Sequence, residues 1–150
     1  MTPADGSPAR PPAAAAQPAP HTHQDNPHKR RTGLSRVAHA FVYSMQGFGS
    51  ALRHESAFRQ EALLGLLMLP AAFWLGSDWI ERALLLGSVL VVLIVELLNS
   101  AIEATVDRVS FELHPLSKRA KDYGSAAVFL SLLWCGGVWI AALANRLLGA

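Results

Sequence analysis

The chain holds a single cysteine, Cys135, among 150 residues. No internal disulfide can form, and histidine and cysteine are too sparse near the carboxylates of Glu96, Glu103 and Asp107 for a zinc site. Cys135 stands in an apolar run, SLLWCGGVW, where a packing role is expected. A glycine-rich loop ending in Lys-Ser or Lys-Thr is missing, so the chain is not a P-loop enzyme. The His-Arg-Asp and Asp-Phe-Gly motifs of protein kinases are missing as well. Charge is scarce: 16% of residues are charged, and the formal net charge is only +2. The basic residues are scattered and not interleaved with aromatics, which argues against nucleic acid as a partner. Residues 1–33 hold almost no large apolar side chains and are rich in Pro and Ala. Such a stretch cannot bury a core and is expected to be a disordered tail. It has no apolar h-region and does not read as a signal peptide. Its basic end, Lys29-Arg30-Arg31, suits a position near anionic headgroups.

What remains is strongly apolar. The sequence is 51% hydrophobic, and nearly all of that falls after residue 33, which leaves one domain over 34–150. Val37, Ala40, Phe41, Ser44, Met45 and Phe48 recur at helical spacing. They predict an amphipathic helix over 34–48 lying in a membrane interface, ended by Gly47 and Gly49. The segment ESAFRQE, Glu55 to Glu61, opens a second helix. Three spanning segments follow, at about 61–79 (with Pro70 inside), 83–107 and 123–144, each close to the ~20 residues that cross a bilayer. The fold class expected is an all-α membrane protein with a surface helix and three transmembrane helices. Trp74, Trp79, Trp134 and Trp139 include plausible interfacial anchors. Basic residues set the orientation. Arg36, Arg53 and Arg59 precede the first span, and Arg108, Lys118, Arg119 and Lys121 lie between the second and third; Arg82 and Arg146 alone mark the other side. By the positive-inside rule the N-terminus and the second loop are cytoplasmic and the C-terminus is periplasmic.

Two carboxylates interrupt the second span. At ~100° per residue, Glu96, Asn99, Ser100, Glu103 and Asp107 fall within an arc of roughly 100°, with Glu96 and Glu103 about 10 Å apart along the axis. Val91, Leu97, Leu98 and Ala101 take the other face. Lipid cannot solvate such a stripe, so it must face other helices or a water-filled cavity. Interhelical hydrogen bonding alone would need only Asn or Ser, and two glutamates suit it poorly.

The chemistry follows from the residue types. Paired carboxylates at a cytoplasmic mouth suit Mg²⁺, which in such sites accompanies substrate phosphates. Lys121 and Arg119 are placed to meet those phosphates. Glu96, deeper, is a candidate general base within reach of a hydroxyl. Together these imply phosphoryl transfer from a nucleotide to an alcohol at the membrane surface.

ELLNSAIEATVDR followed by HPLSKRAKDYGSAAV, with ESAFRQE upstream, closely resembles the small bacterial integral-membrane diacylglycerol kinases. The resemblance covers about residues 34–146. It implies a homotrimer that transfers the γ-phosphate of MgATP to the primary hydroxyl of diacylglycerol at the cytoplasmic face of the inner membrane, giving phosphatidic acid. Carried over by position, it implies Glu96 as general base with Asn99 beside it, and Glu55 and Glu103 as Mg²⁺ ligands. It implies nucleotide contacts at Arg36, Tyr43, Glu112, Leu113, His114, Lys121 and Asp122. It implies lipid contacts at Ala40, Phe41, Val42, Tyr43, Ser44 and Met45, at the turn Gly49, Ser50, Ala51 and Leu52, and at Ala57, Phe58, Arg59, Gln60 and Glu61. Arg36, Trp74, Arg82, Glu96 and Ser125 complete that lipid set. Asp122 is expected to position Lys121 or the nucleotide, or to oppose the dipole of the third spanning helix. Gly124 and Ser125 are expected to permit close helix packing. The chain departs from the best-known members at Met45-Gln46, where they have Trp-Lys, and at Gly49, where they have Arg. Arg53 and His54 stand nearby as replacements for the missing positive charge. Three alternatives stay open. An undecaprenol kinase would share the fold. A small proton-coupled transporter would use Glu96 but leaves Glu55, Glu103 and Lys121-Asp122 without a role. A structural membrane protein would tolerate loss of the glutamates.

Overall fold

The structure is a computed structural model that describes residues 33–109 and 114–149. The expected tail, apart from Gly33, lies outside the described residues, and so do Glu112 and Leu113. Four helices follow one another: α1, Leu34–His54; α2, Ser56–Leu75; α3, Trp79–Val109; and α4, Pro115–Leu148. No strand occurs among the described residues. The helices α3 and α4 lie side by side, α2 leans on α3, and α1 meets chiefly α2.

Two of the helices, α3 with 31 residues and α4 with 34, are long and apolar enough to cross a membrane. At ~1.5 Å per residue each exceeds the ~30 Å hydrocarbon core, so both carry polar turns beyond it. The helix α2 is shorter, 20 residues, and opens with the polar Arg59-Gln60-Glu61. It runs unbroken through Pro70.

The surface helix differs from the expectation at its end. It does not stop at Gly47 or Gly49 but continues to His54. A helical glycine costs ~1 kcal/mol against alanine, an amount that packing readily offsets. Here Ala51 is buried, and the Phe48 ring lies 6.5 Å from that of Phe58, itself buried. The break comes instead at Glu55, whose backbone is extended. Arg59 fixes it by reaching back across the corner, donating Nη1 to the carbonyls of Arg53 (3.1 Å) and Leu52 (3.4 Å). These carbonyls are among the last of α1 and lack helical partners, so a guanidinium is a fitting cap.

A second difference lies before the third span. The stretch carrying Lys118, Arg119, Lys121 and Asp122 is not a loop but the first two turns of α4. Pro115 at the first helical position is pre-set for helix. His114 caps the helix by accepting the Leu116 N–H at Nδ1, 3.2 Å away. The α2–α3 turn is closed in a comparable way. Glu81 accepts from Ser77 N and Oγ at 2.7 and 2.6 Å, Asp78 accepts the Glu81 N–H at 2.8 Å, and Arg82 Nε donates to Gly76 O at 3.0 Å.

The apolar core sits at that turn: Ala72, Leu75, Leu85 and Ala142, covered by Leu86, Val138 and Trp139. Farther along, buried Ser88 donates to Leu85 O at 2.8 Å and touches Cys135 Sγ at 3.5 Å, which joins α3 to α4. Cys135 is therefore a packed, interior thiol, as its apolar setting suggested. Most large apolar side chains point outward, as a protein solvated by lipid requires.

The turn gives a test of this packing. A Cβ on Gly76 would lie 3.0 Å from Ala72 O and 3.1 Å from Arg82 N, backbone atoms that cannot swing aside. Gly76→Ala is expected to destabilise the bundle by about 1–3 kcal/mol. Gly87→Ala, with nothing within 4 Å, is expected to leave stability unchanged or raised. Thermal melting in detergent distinguishes them, and a Gly76→Ala melt at or above the parent's would contradict the tight turn.

Candidate active site

The acidic stripe of α3 faces inward. Glu96 is 5% exposed, and Asn99, Ser100, Glu103 and Asp107 are half-buried, whereas Leu98 on the opposite side is 60% exposed. This is the reverse of a soluble amphipathic helix, and it places the carboxylates where protein, not lipid, surrounds them.

Two glycines make this burial possible. A Cβ at Gly65 of α2 would come 2.9 Å from Val89 of α3. A Cβ at Gly124 of α4 would overlap the Asn99 amide oxygen. Gly124 is buried and lets α4 seat directly on the stripe, the close packing expected of it. Pressed there, Asn99 donates Nδ2 to Glu103 Oε1 at 3.1 Å. An amide one turn from two glutamates thus orients one of them.

Glu55, Glu61 and Glu103 come within electrostatic range of Glu96: Glu61 from α2, Glu55 from the α1–α2 corner. Glu61 Oε2 and Asn99 Oδ1 are buried with no hydrogen-bond partner among the described residues. Between α1 and α3 opens a cleft of about 460 Å³, lined on α3 by Leu97, Ser100, Ala101 and Ala104, the flank of the stripe rather than its carboxylates. Glu55 and Ser100 line it with Ser44, Gly47, Ser50 and Ala51. Glu96 lies one helical turn, about 6 Å, below Ser100.

At the open end of the stripe, Lys121 Nζ of α4 meets Asp107 Oδ1 of α3 at 2.6 Å. Asp122 does not pair with Lys121; it accepts from Lys118 at 2.6 Å, an exposed pair one turn apart. Arg36, Tyr43 and Gly47 share a strip of α1 roughly 40° wide, so both α1 nucleotide candidates lead toward the cleft. His39 stacks near Tyr43, with centroids 6.3 Å apart.

The remaining sequence candidates divide. Ser44, Ser50 and Ala51 line the cleft, whereas Ser125, next to Gly124 on α4, is exposed. Phe41, Val42 and Met45 lie on another side of α1, in an open groove with Gln46, Gly49, Ser50, Arg53 and His54. Ala40 and Leu52 are exposed, as are Ala57 and Gln60 on α2. Gly49 to Leu52 is helix, not turn. Phe58 is 3% exposed and committed to packing, and Arg59 is committed to the α1 cap. Trp74 and Arg82 sit at the other end of the bundle, Trp74 with Arg146 5.8 Å above its ring. Fourteen residues separate Arg82 from Glu96, about 21 Å of helix, so no single chain brings them together. Asp107 as the partner of Lys121 was not assigned, although its place on the stripe was visible in its spacing.

Among known sequences, the profile of the family described as prokaryotic diacylglycerol kinase matches residues 42–143. The chain belongs to the prokaryotic diacylglycerol kinase family. A relative from Pseudomonas aeruginosa, named diacylglycerol kinase, is 54% identical over 118 residues, covering 79% of this chain and 96% of that protein. The Escherichia coli K12 relative of the same name is 50% identical, covering 72% and 93%. That from Helicobacter pylori strain 26695 is 40% identical, covering 71% and 84%. For a prokaryotic diacylglycerol kinase chain, the buried stripe is the part of the structure that joins carboxylates, amide and ammonium.

The Gly124–Asn99 contact supplies a test. Gly124→Ala is expected to push the Asn99 amide off Glu103 and lower the chain's catalytic rate by on the order of tenfold or more. Gly136→Ala, farther along α4 with nothing within 4 Å, is expected to have no effect. Parental activity in Gly124→Ala would show that the contact does not shape the site.

Proposed function

We propose that this chain transfers the γ-phosphate of ATP to the primary hydroxyl of a diacylglycerol, giving phosphatidic acid, at the cytoplasmic face of the bacterial inner membrane. The observation that carries this is the inward-facing stripe, with Glu96 buried, Glu55 and Glu103 acting on it electrostatically, and Lys121 at the stripe's open end. Membership of the family supports it. The orientation rests on charge. Arg53, Arg59, Arg108, Lys118, Arg119 and Lys121 gather at the end of the bundle that carries the cleft, against Arg82 and Arg146 at the other. On this reading α2 is the first of three spans, with its polar start at the cytoplasmic surface.

Glu96 takes the proton as the lipid oxygen attacks the γ-phosphorus and the bond to ADP breaks. A carboxylate in a buried site, flanked by unpaired acceptors on Glu61 and Asn99, suits a hydroxyl donor entering there. Asn99 orients Glu103. Lys121 offsets charge on the transferred group, the main source of catalysis in phosphoryl transfer. Asp122, whose carboxylate pairs with Lys118 and not with Lys121, is kept as a nucleotide contact.

The donor set also fits Mg²⁺ of one kind. Among the described residues no three His, Cys, Asp or Glu groups converge to cage a metal. Glu55 and Glu103 supply two carboxylates, which match a Mg²⁺ that arrives on a polyphosphate and keeps waters. Held by Glu55 and Glu103, the ion would supply positive charge to offset that of the phosphates. Arg36, Tyr43, His114 and Asp122 are the nucleotide contacts of this proposal, and the exposed faces of α1 bear the lipid. The cleft is open on one side in a single chain, and α4 exposes Phe129, Leu130, Leu133 and Trp134; a homotrimer would cover both.

The test is phosphate transfer from labelled ATP in mixed micelles, with diacylglycerol and undecaprenol compared. Labelled phosphatidic acid is expected, and its formation should be abolished by Glu96→Gln without loss of folding. Substantial residual turnover would remove Glu96 as base; preference for undecaprenol would reassign the lipid. Glu103→Gln is expected to raise the Mg²⁺ concentration needed for half-maximal rate by on the order of tenfold. An unchanged metal titration would remove Glu103 as a ligand.

A further inference from the structure

Two ion pairs flank the start of α4, and they differ in kind. Lys118–Asp122 is an i,i+4 pair on one helix, with side chains 77% and 57% exposed. Such pairs do little beyond decorating a surface. Lys121–Asp107 instead crosses from α4 to α3 at 2.6 Å, with side chains 38% and 48% exposed. It is the one cross-helix ion pair among the described residues. It also lies in register with the site. Asp107 is one turn beyond Glu103, and Glu103 is held by Asn99. Three residues beyond Lys121, Gly124 seats α4 on Asn99. The start of α4 is thus pinned to the stripe at two points, one steric and one ionic.

A lysine ammonium is a compact charge on a flexible four-carbon stem with three donors. Unanchored, it would have to be ordered in each catalytic cycle. Anchored through one N–H, it keeps two donors for phosphate oxygens and its charge stays at the mouth of the stripe. We propose that Asp107 is a positioning residue for phosphoryl transfer: it holds the Lys121 ammonium in place for the transferred phosphate and does not itself touch substrate. This rests on the kinase reading above. It also explains why an acidic residue stands where an anionic nucleotide would arrive. A second negative charge there is unfavourable for binding and is tolerated because it orders the cation.

The effect on kinetics is specific. Removing the carboxylate leaves the Lys121 charge in place, so ground-state attraction for MgATP is kept or strengthened, while the geometry needed in the transition state is lost. In the full-length chain, assayed in mixed micelles with MgATP and dioleoylglycerol, Asp107→Asn is expected to lower kcat on the order of tenfold. Its KM for MgATP should be unchanged or lower, and its melting temperature parental. Asp107→Glu, which restores an anchoring carboxylate on a longer stem, is expected to recover kcat to within about threefold of the parent. A parental kcat in Asp107→Asn overturns the proposal. So does a raised KM with unchanged kcat, which would make Asp107 a binding residue. Equal losses in Asp107→Asn and Asp107→Glu with a lowered melting temperature would overturn it in favour of a helix tie. A parent chain that forms no phosphorylated lipid overturns the kinase reading, and this proposal with it; an active parent isolates the outcome to Asp107.

Discussion

A carboxylate in the middle of an apolar helix has to be solvated by something, and lipid cannot do it. That constraint on Glu96 organises the rest of the structure. The helix α3 must turn its acidic stripe inward, which sends Leu98 and its neighbours out toward lipid. The adjoining helices must then come close enough to enclose the stripe. Gly65 on α2 and Gly124 on α4 stand at those approaches, where a methyl group would collide with Val89 or Asn99. The α3–α4 pairing, the most extensive in the molecule, is thereby fitted to a polar seam rather than to an apolar one.

The bundle separates stability from chemistry along its length. Its apolar core, Ala72, Leu75, Leu85 and Ala142, lies at the α2–α3 turn, where capping bonds from Ser77, Asp78 and Arg82 also close the chain. The other end holds the cleft, the acids and the ammonium, with its apolar packing confined to Phe58, Phe48 and Ala51 at the α1–α2 corner. There the backbone is secured by side chains reaching to backbone groups: Arg59 onto the end of α1 and His114 onto the start of α4. Such caps set helix directions without filling space. An end built this way can admit a charged, hydrated substrate, which a close-packed core could not do.

Much of the site was legible in one dimension because helical periodicity is a local property. The spacing of Glu96, Asn99, Glu103 and Asp107 defined a stripe, and its polarity in an apolar context required it to face protein. Cys135 in its apolar run and Gly124 beside small residues were likewise readable, since burial and close approach depend on side-chain size. The misread places depended on contacts from elsewhere. Gly47 and Gly49 are poor helix formers, but packing of Phe48 and Ala51 carries α1 past them. The start of the second helix at Glu55 was readable from ESAFRQE, whereas the Arg59 cap that holds the corner was not. Lys118 to Asp122 are polar, as loops are, yet Pro115 and the His114 cap make them helix.

Composition and periodicity by themselves determined that the chain is helical, that it is suited to a membrane, and which residues line the polar face of α3. Those properties follow from hydrophobicity and a fixed rotation per residue, and neither requires a partner. Pairing is different. That Lys121 meets Asp107 and not Asp122, that Phe58 packs instead of facing lipid, and that Trp74 and Arg82 lie a bilayer's depth from the cleft were decided only by tertiary structure. The reason is geometric. Side chains one residue apart on a helix diverge by ~100°, so neighbours in sequence such as Lys121 and Asp122 point apart. Residues fourteen positions distant, on two helices that lie side by side, are brought within hydrogen-bonding reach.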